Sequence, residues 1–218
     1  MATLSSEEIR QLLEPYTKPF ETPINLSNSL INQVSDYLDL LLRWNSRVSL
    51  TAIRRPEEII ERHFGESLFT AGHLATRLAH NAELLDYGSG PGFPGLPIQM
   101  ALPNLRVTVA ESQAKKVAFL REVIRTLGLP AEVWPRRVEE LPEDRRYDAL
   151  TLRAVEKMET SIDAAAERVR DAGWIAALVG EDIHLPEAEE FSIPGSERRR
   201  LVLWQIVPRG TIHTQSGI

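Results

Sequence analysis

The feature that most constrains this chain is the run Leu84-Leu85-Asp86-Tyr87-Gly88-Ser89-Gly90-Pro91-Gly92-Phe93-Pro94-Gly95. A short apolar strand ends in a carboxylate, and three glycines follow at alternate positions. Glycine lets a backbone turn sharply and approach a ligand with no Cβ in the way. A tight strand-to-helix turn with no ligand would use the same residues. The flanks favour a ligand: the loop follows a strand and leads into a helix, the setting of nucleotide-type ligands.

The rest of the chain supplies the scaffold such a loop needs. From Glu83 onward short apolar runs alternate with helical patterns. Strands are predicted at 83–86, 105–110, 131–134, 147–152, 174–179 and 201–207, with helices at 113–127 and 156–170. Gly128 and Pro130 stop the first of these helices. Alternating strands and helices imply a mostly parallel, doubly wound α/β sheet with right-handed crossovers. In such a sheet ligands bind beyond the carboxyl ends of the strands. Ahead of it, residues 1–75 read as a helical extension packed on a core domain at 76–218. Ser5 to Glu8 has capping-box spacing. Leu30, Ile31, Val34, Tyr37, Leu38, Leu41 and Leu42 form one buried stripe. Pro56, with Glu57 and Glu58, opens a third helix.

Composition narrows the chemistry. Among 218 residues there is no cysteine, which removes disulfides and thiolate metal sites and suits a reducing, cytoplasmic setting. Histidines 63, 73, 80, 184 and 213 show no ligand spacing, so no metal is expected. No apolar run is long enough for a membrane helix, and the acidic start lacks a secretory h-region. There is no G-x-S-x-G elbow and no P-loop lysine. The net charge of −6 means that any nucleic acid must be held by local cations. The candidates are the stretch 43–55, with Arg43, Arg47, Arg54 and Arg55, and the group Lys115, Lys116, Arg121 and Arg125. Solvated helix faces have the same composition.

The loop spacing is G-x-G-x-G, whereas a dinucleotide site needs G-x-G-x-x-G to bring a helix start onto a pyrophosphate. A ligand with ribose hydroxyls and an amino group but no phosphate, such as S-adenosylmethionine, is better met by carboxylates. Glu111 ends the second strand, where it can accept from ribose hydroxyls. Asp86 is placed to face a cationic amino acid end. Val138, Glu139 and Glu140 follow the third strand, in the loop that passes the adenine in this architecture. Arg153 follows the fourth strand at the cleft mouth. Expected cofactor contacts therefore include Asp86, Gly88, Ser89, Gly90, Gly92 and Glu111.

Four stretches together resemble the ribosomal RNA small-subunit methyltransferase G family, also called glucose-inhibited division protein B. They are Arg43-Trp44-Asn45 through Leu50-Thr51-Ala52-Ile53-Arg54; Arg62-His63 with Glu66-Ser67; residues 86–97; and residues 115–120 with Arg137-Val138-Glu139-Glu140. The resemblance implies a Rossmann-like class I methyltransferase fold and S-adenosylmethionine as cofactor. It further implies methylation of N7 of a guanine in 16S ribosomal RNA or a small-subunit particle, and cofactor contacts at Gly88, Phe93, Val138, Glu139 and Arg153. Candidate RNA contacts are Arg54, Lys115 and Lys116 from the basic stretches, with Asn45, His63 and Arg137 from the stretches of resemblance. Three positions depart from the family pattern: Glu111 where Asp is common, Leu152 where Ser is usual, and Val179 where Lys is usual. The last removes a cation near the expected cleft. The alternatives are a methyltransferase for another RNA or a small molecule, and a non-catalytic S-adenosylmethionine-binding module. No catalytic residue is required, because N7 carries a free lone pair and a positioning mechanism suffices.

Overall fold

The computed structural model describes residues 2–153, 162, 165–180 and 188–206. Most of the expected helix at 156–170, and all of His184, His213 and the tail from Thr211, fall outside them. Helix α1 (Ser6–Thr17) starts on the expected capping box: Glu8 N donates to Ser5 Oγ at 3.3 Å, and Ser5 N donates to Glu8 Oε2 at 2.7 Å. Helix α2 (Asn28–Asn45) is capped by Ser27 and buries the apolar stripe. Pro56 takes the first position of α3 (Pro56–Ile59), where its missing N–H costs nothing.

The third helix is not uniform. After α3 the chain widens into a π-helical segment (Ile60–Gly65), in which Glu66 N donates to Glu61 O, five residues back. It then resumes as α4 (Glu66–Ala75). Such widened turns cluster at functional sites. The apolar spacing is the same either way, so periodicity gave no sign of it.

The remaining elements are β1 (Glu83–Tyr87), α5 (Gly95–Ala101), β2 (Arg106–Ala110), α6 (Ala114–Leu127) and β3 (Glu132–Trp134). A 3₁₀ turn (Val138–Glu140) is followed by β4 (Tyr147–Arg153), β5 (Val169–Gly180), β6 (Glu189–Ser192) and β7 (Arg199–Gln205). They form one seven-stranded sheet in the order β3-β2-β1-β4-β5-β7-β6. The first five strands are parallel, and β7 runs antiparallel to both β5 and β6. Two expectations change. Val169 and Arg170 belong to β5 rather than to the preceding helix. The polar edge strand β6 was not anticipated.

Two apolar clusters hold the layers together. One joins the inner faces of α1, α2 and α4, including Ile9, Leu13, Ile31, Leu38 and Leu68, to the sheet residues Leu84, Val107 and Val109. The helical extension therefore shares a core with the sheet. The second lies on the other face around Leu85, Leu150, Leu152, Ile175 and Val179. Among the described residues no helix is long and apolar enough to cross a membrane.

His73 of α4 reports on this packing. Its ring meets Phe20 at 5.0 Å, Phe69 at 4.7 Å and Phe191 at 3.9 Å. Burial, reinforced by Arg77 and opposed by Glu189, holds its pKa at about 4. The folded chain keeps this ring neutral, whereas the unfolded chain protonates it near pH 6.5. The stability linked to it is full above pH 6.5 and is lost as the pH falls toward 4. Urea unfolding at several pH values should show His73→Phe losing stability less steeply than the parent below pH 6.5. Identical slopes would mean that the ring is protonated in the folded state.

Candidate active site

The parallel strands point their carboxyl ends to one edge of the sheet, and the Gly-rich loop crosses that edge. After β1 the chain turns through Gly88 (φ +64°), Gly90 (φ +58°) and Gly92 (φ +96°). Ser89 N donates to Ala110 O at 2.9 Å, tying the loop to the end of β2. Gly92 N and Phe93 N donate to Ser89 O at 2.9 and 3.1 Å.

Asp86 secures this loop from beneath. It is fully buried, and does not face the ligand side as expected. Its Oδ2 accepts from Gly95 N at 3.0 Å and from Ser89 Oγ, and its Oδ1 accepts from Thr151 Oγ1 at 2.8 Å. Burial raises its pKa, while those three hydrogen bonds and the nearby Arg153 pull the other way. The Ser89 side chain is likewise turned inward. A Cβ on Gly95 would lie 2.7 Å from Asp86 Oδ2, so only glycine admits this carboxylate against the start of α5.

Tyr37, read from the sequence only as part of a buried stripe, holds the loop from the helical side. Its hydroxyl donates to Pro91 O at 2.5 Å, and its ring stacks on Phe93 with centroids 5.1 Å apart. A Cβ on Gly92 would lie 2.2 Å from Tyr37 Oη. Nothing local to the loop signalled this contact, because it depends on how α2 docks.

Beyond the loop, Glu111 continues from β2. Its Oε1 accepts from Gln113 N at 2.7 Å. Its Oε2 has no hydrogen bond among the described residues and remains available to a ligand. The 3₁₀ turn buries Val138 and carries Glu139, whose Oε1 accepts from Tyr87 Oη at 2.6 Å. That bond lowers the Glu139 pKa, and burial together with the same bond raises that of Tyr87. Tyr87 thereby links the end of β1 to the turn after β3, and brings Gly88, Glu111, Val138 and Glu139 to one end of the sheet.

The other predicted residues divide. His63 is buried, stacks on Phe93 at 4.7 Å, and shares a 2.9 Å hydrogen bond through Nε2 with Thr51 Oγ1. Burial, with Arg153 and Arg62 nearby, holds its pKa well below the ordinary value, so it is neutral at pH 7. Asn45 is also buried: its Oδ1 accepts from Leu50 N and Thr51 N, and its Nδ2 donates to Thr51 O. Neither is the surface contact expected of an RNA-binding residue. Together they fix the loop after α2 against the π-helical segment. Arg54, Lys115 and Arg137 are exposed and Lys116 is half-exposed. Arg43 and Arg47 flank Trp44, whose Nε1 donates to Glu122 Oε2 at 2.9 Å. Arg153 is not a free cation at the cleft mouth: its Nη2 donates to Arg62 O at 2.7 Å and lies 3.2 Å from Glu66 Oε2. Val179, where a lysine was the family expectation, is buried in the second apolar cluster. Among the described residues no group of His, Asp and Glu is arranged to hold a metal ion.

This arrangement has relatives. The chain is 40% identical over 184 residues to the ribosomal RNA small subunit methyltransferase G of Stenotrophomonas maltophilia, covering 79% of this chain and 84% of that protein. Its fold is similar to that of a hypothetical protein of Thermus thermophilus, with a TM-score of 0.58, 23% identity, and coverage of 72% and 91% of the two chains. It is also similar to a SAM-dependent O-methyltransferase of Thermotoga maritima, with a TM-score of 0.57, 16% identity, and coverage of 79% and 72%. The model of the rRNA small subunit methyltransferase G family matches residues 30–192. With its Gly loop braced from below by Asp86 and from the side by Tyr37, this chain belongs to the rRNA small subunit methyltransferase G family.

Proposed function

We propose that this chain transfers the methyl group of S-adenosylmethionine to N7 of a guanine in 16S ribosomal RNA. The observation that carries the reading is the joint placement, at the carboxyl edge of the sheet, of a positive-φ glycine loop and the carboxylate of Glu111, in a member of this family. The residues fit the cofactor. The loop brings backbone rather than side chains toward the cleft, and Glu111 Oε2 is an acceptor suited to a ribose hydroxyl. Val138 offers an apolar surface beside Glu139, suited to an adenine. When bound, S-adenosylmethionine supplies a sulfonium methyl that passes to the N7 lone pair as the sulfur leaves as a neutral thioether.

No proton has to be removed, so the chain's own residues act by holding and orienting. Effective molarity supplies the rate advantage. Asp86, Ser89, Thr151 and Tyr37 keep the loop in shape, and Gly88, Gly90, Gly92 and Phe93 present it. His63 stacks on Phe93 and supports it from the helical side. The target base must be unpaired or flipped out to reach this depth. Arg54, Lys115, Lys116 and Arg137 then offer charge to the RNA backbone, which the overall −6 charge does not. We read residues 76–218 as the cofactor domain, 1–75 as its helical extension, and the cytoplasm as the place of action.

The test is transfer from methyl-tritiated S-adenosylmethionine to small-subunit particles and to naked 16S RNA, with nucleoside mapping. Label in 7-methylguanosine is the expected result. Label in another nucleoside or only in a small molecule would replace the acceptor, and cofactor binding without transfer to any acceptor would make the chain a binding module.

A further inference from the structure

Trp44, near the end of α2, is half-buried against α6. Its ring packs edge-to-face with Phe119, with centroids 5.6 Å apart, and its Nε1 donates to Glu122 Oε2 at 2.9 Å. The indole is thereby fixed in position and orientation. Together with Arg43, Arg47, Val48 and Glu122 it lines a cavity of about 340 Å³. Small-molecule pockets begin at roughly 300 Å³. Trp134 and Trp174 are differently placed, because a guanidinium lies over each: Arg136 at 5.9 Å and Arg77 at 5.1 Å. Arg43 and Arg47 flank Trp44, yet no guanidinium covers its ring among the described residues.

The polar groups around this ring are unengaged. Arg43 and Arg47 are exposed, and their guanidinium groups have no hydrogen-bond or ion-pair partner among the described residues. Glu122 gives Oε2 to the indole and leaves Oε1 without a partner among them. The lining thus holds two cations and one anion. Asp39, one turn before Arg43 on α2, and Arg125, one turn after Glu122 on α6, offset each other, so the positive excess persists. The two helices run antiparallel: Gln33 Nε2, early in α2, donates to Leu127 O at the end of α6 at 3.3 Å. Trp44 therefore lies toward the start of α6, which follows Glu111 at the carboxyl edge of the sheet. At about 1.5 Å per residue, Glu122 stands roughly 12 Å along α6 from that edge. The cavity is a neighbour of the cofactor cleft and separate from it. Exposed Lys115, at helical spacing from Phe119 and Glu122, stands between the two.

We propose that this cavity seats an unpaired guanine of the acceptor RNA, distinct from the base that is methylated. The base stacks on Trp44, as unpaired bases do on aromatic side chains. Glu122 Oε1 accepts from N1–H or the N2 amino group. Arg43 or Arg47 donates both arms of its fork to O6 and N7, the commonest arginine–base pairing. Guanine is the base that sets two adjacent donors beside an edge of two acceptors, and so uses the carboxylate and the guanidinium together. The seat anchors the strand flanking the target, with Lys115 along the path to the cleft. The assignment rests on the RNA-methyltransferase reading given above.

The probe is hexauridylate carrying one guanosine, one adenosine or neither, offered to the full chain and to its Glu122→Gln, Trp44→Ala and Trp44→Phe variants. The parent should bind the guanosine oligomer about five- to a hundredfold more tightly than the adenosine one, the range for one bidentate base contact. Binding should quench tryptophan fluorescence. Glu122→Gln should lose the guanosine preference and keep the affinity for plain hexauridylate. Trp44→Ala should weaken the guanosine oligomer by about five- to a hundredfold, the range for one base on an aromatic ring. Trp44→Phe keeps a ring against Phe119, so it should fold and bind, but without the quench. S-adenosylmethionine affinity should match the parent in all three. A parent with no guanosine preference would overturn the site. A preference that survives Glu122→Gln would place the guanine in the methyl-transfer cleft and overturn it too. So would a quench that persists in Trp44→Phe, or a Trp44→Ala protein with parental RNA affinity and a lower melting temperature, which would leave Trp44 a packing residue. A parent protein that neither binds nor methylates small-subunit RNA would overturn the functional reading beneath it, an outcome visible before any variant is measured.

Discussion

Gly92→Ala should abolish measurable S-adenosylmethionine binding and lower folding stability by about 2–4 kcal/mol. The backbone at Gly92 has φ +96°, which a residue with a Cβ adopts only under strain, and the added carbon would lie 2.2 Å from Tyr37 Oη and 2.8 Å from Leu96 Cδ1. Strain and overpacking each typically cost about 1–3 kcal/mol. Relief requires Tyr37 to withdraw, which breaks its hydrogen bond to Pro91 O and its stacking on Phe93. The loop then loses the shape that meets the cofactor. Calorimetry and denaturant unfolding measure the two effects. Adding Tyr37→Phe makes room by removing the hydroxyl, so the double variant should be more stable than the two single changes summed. A Gly92→Ala protein with parental cofactor affinity would mean that the loop is not the cradle.

Glu111→Ala should weaken S-adenosylmethionine binding by about ten- to a hundredfold, the range for losing one charged hydrogen-bonding partner at roughly 1.5–3 kcal/mol. The effect on folding should be smaller. Glu111 Oε1 supports Gln113 N just ahead of α6, and that amide can turn to water when the side chain is cut back. Glu111→Asp should fall between the two proteins, because the carboxylate survives at a shorter reach. RNA affinity measured without cofactor should not change. If Glu111→Ala binds the cofactor as tightly as the parent, the carboxylate serves only to support α6, and the ribose contact must be sought elsewhere.

Local chemistry made much of this fold legible. The capping box at Ser5, the proline at the start of α3, the stop at Gly128 and the apolar strands of the parallel sheet are all specified by neighbours a few residues apart. So is the Gly loop, whose identity depends on glycine's own backbone. The elements that escaped are those whose local pattern is ambiguous. Strand β6 (Glu-Glu-Phe-Ser) is too short and polar to signal a strand, and forms by pairing with β7. The π-helical segment shares its spacing with an α-helix.

The side chains of the site follow the same division. Residue type and position along the chain singled out Asp86, Asn45, His63 and Arg153, but could not say which way each one turns. Asp86 faces inward because Gly95, Ser89 and Thr151 offer it donors there, and Asn45 because the loop at Leu50 and Thr51 needs its amide. Tyr37 became a support for the loop only when α2 packed across it. Arg62, Arg153 and Arg199 became neighbours only when α4, β4 and β7 came together on Glu66. Backbone conformation is set by short-range sterics and is written locally. Where a buried polar group finds its partner depends on segments distant in the chain, and is settled only once the layers pack.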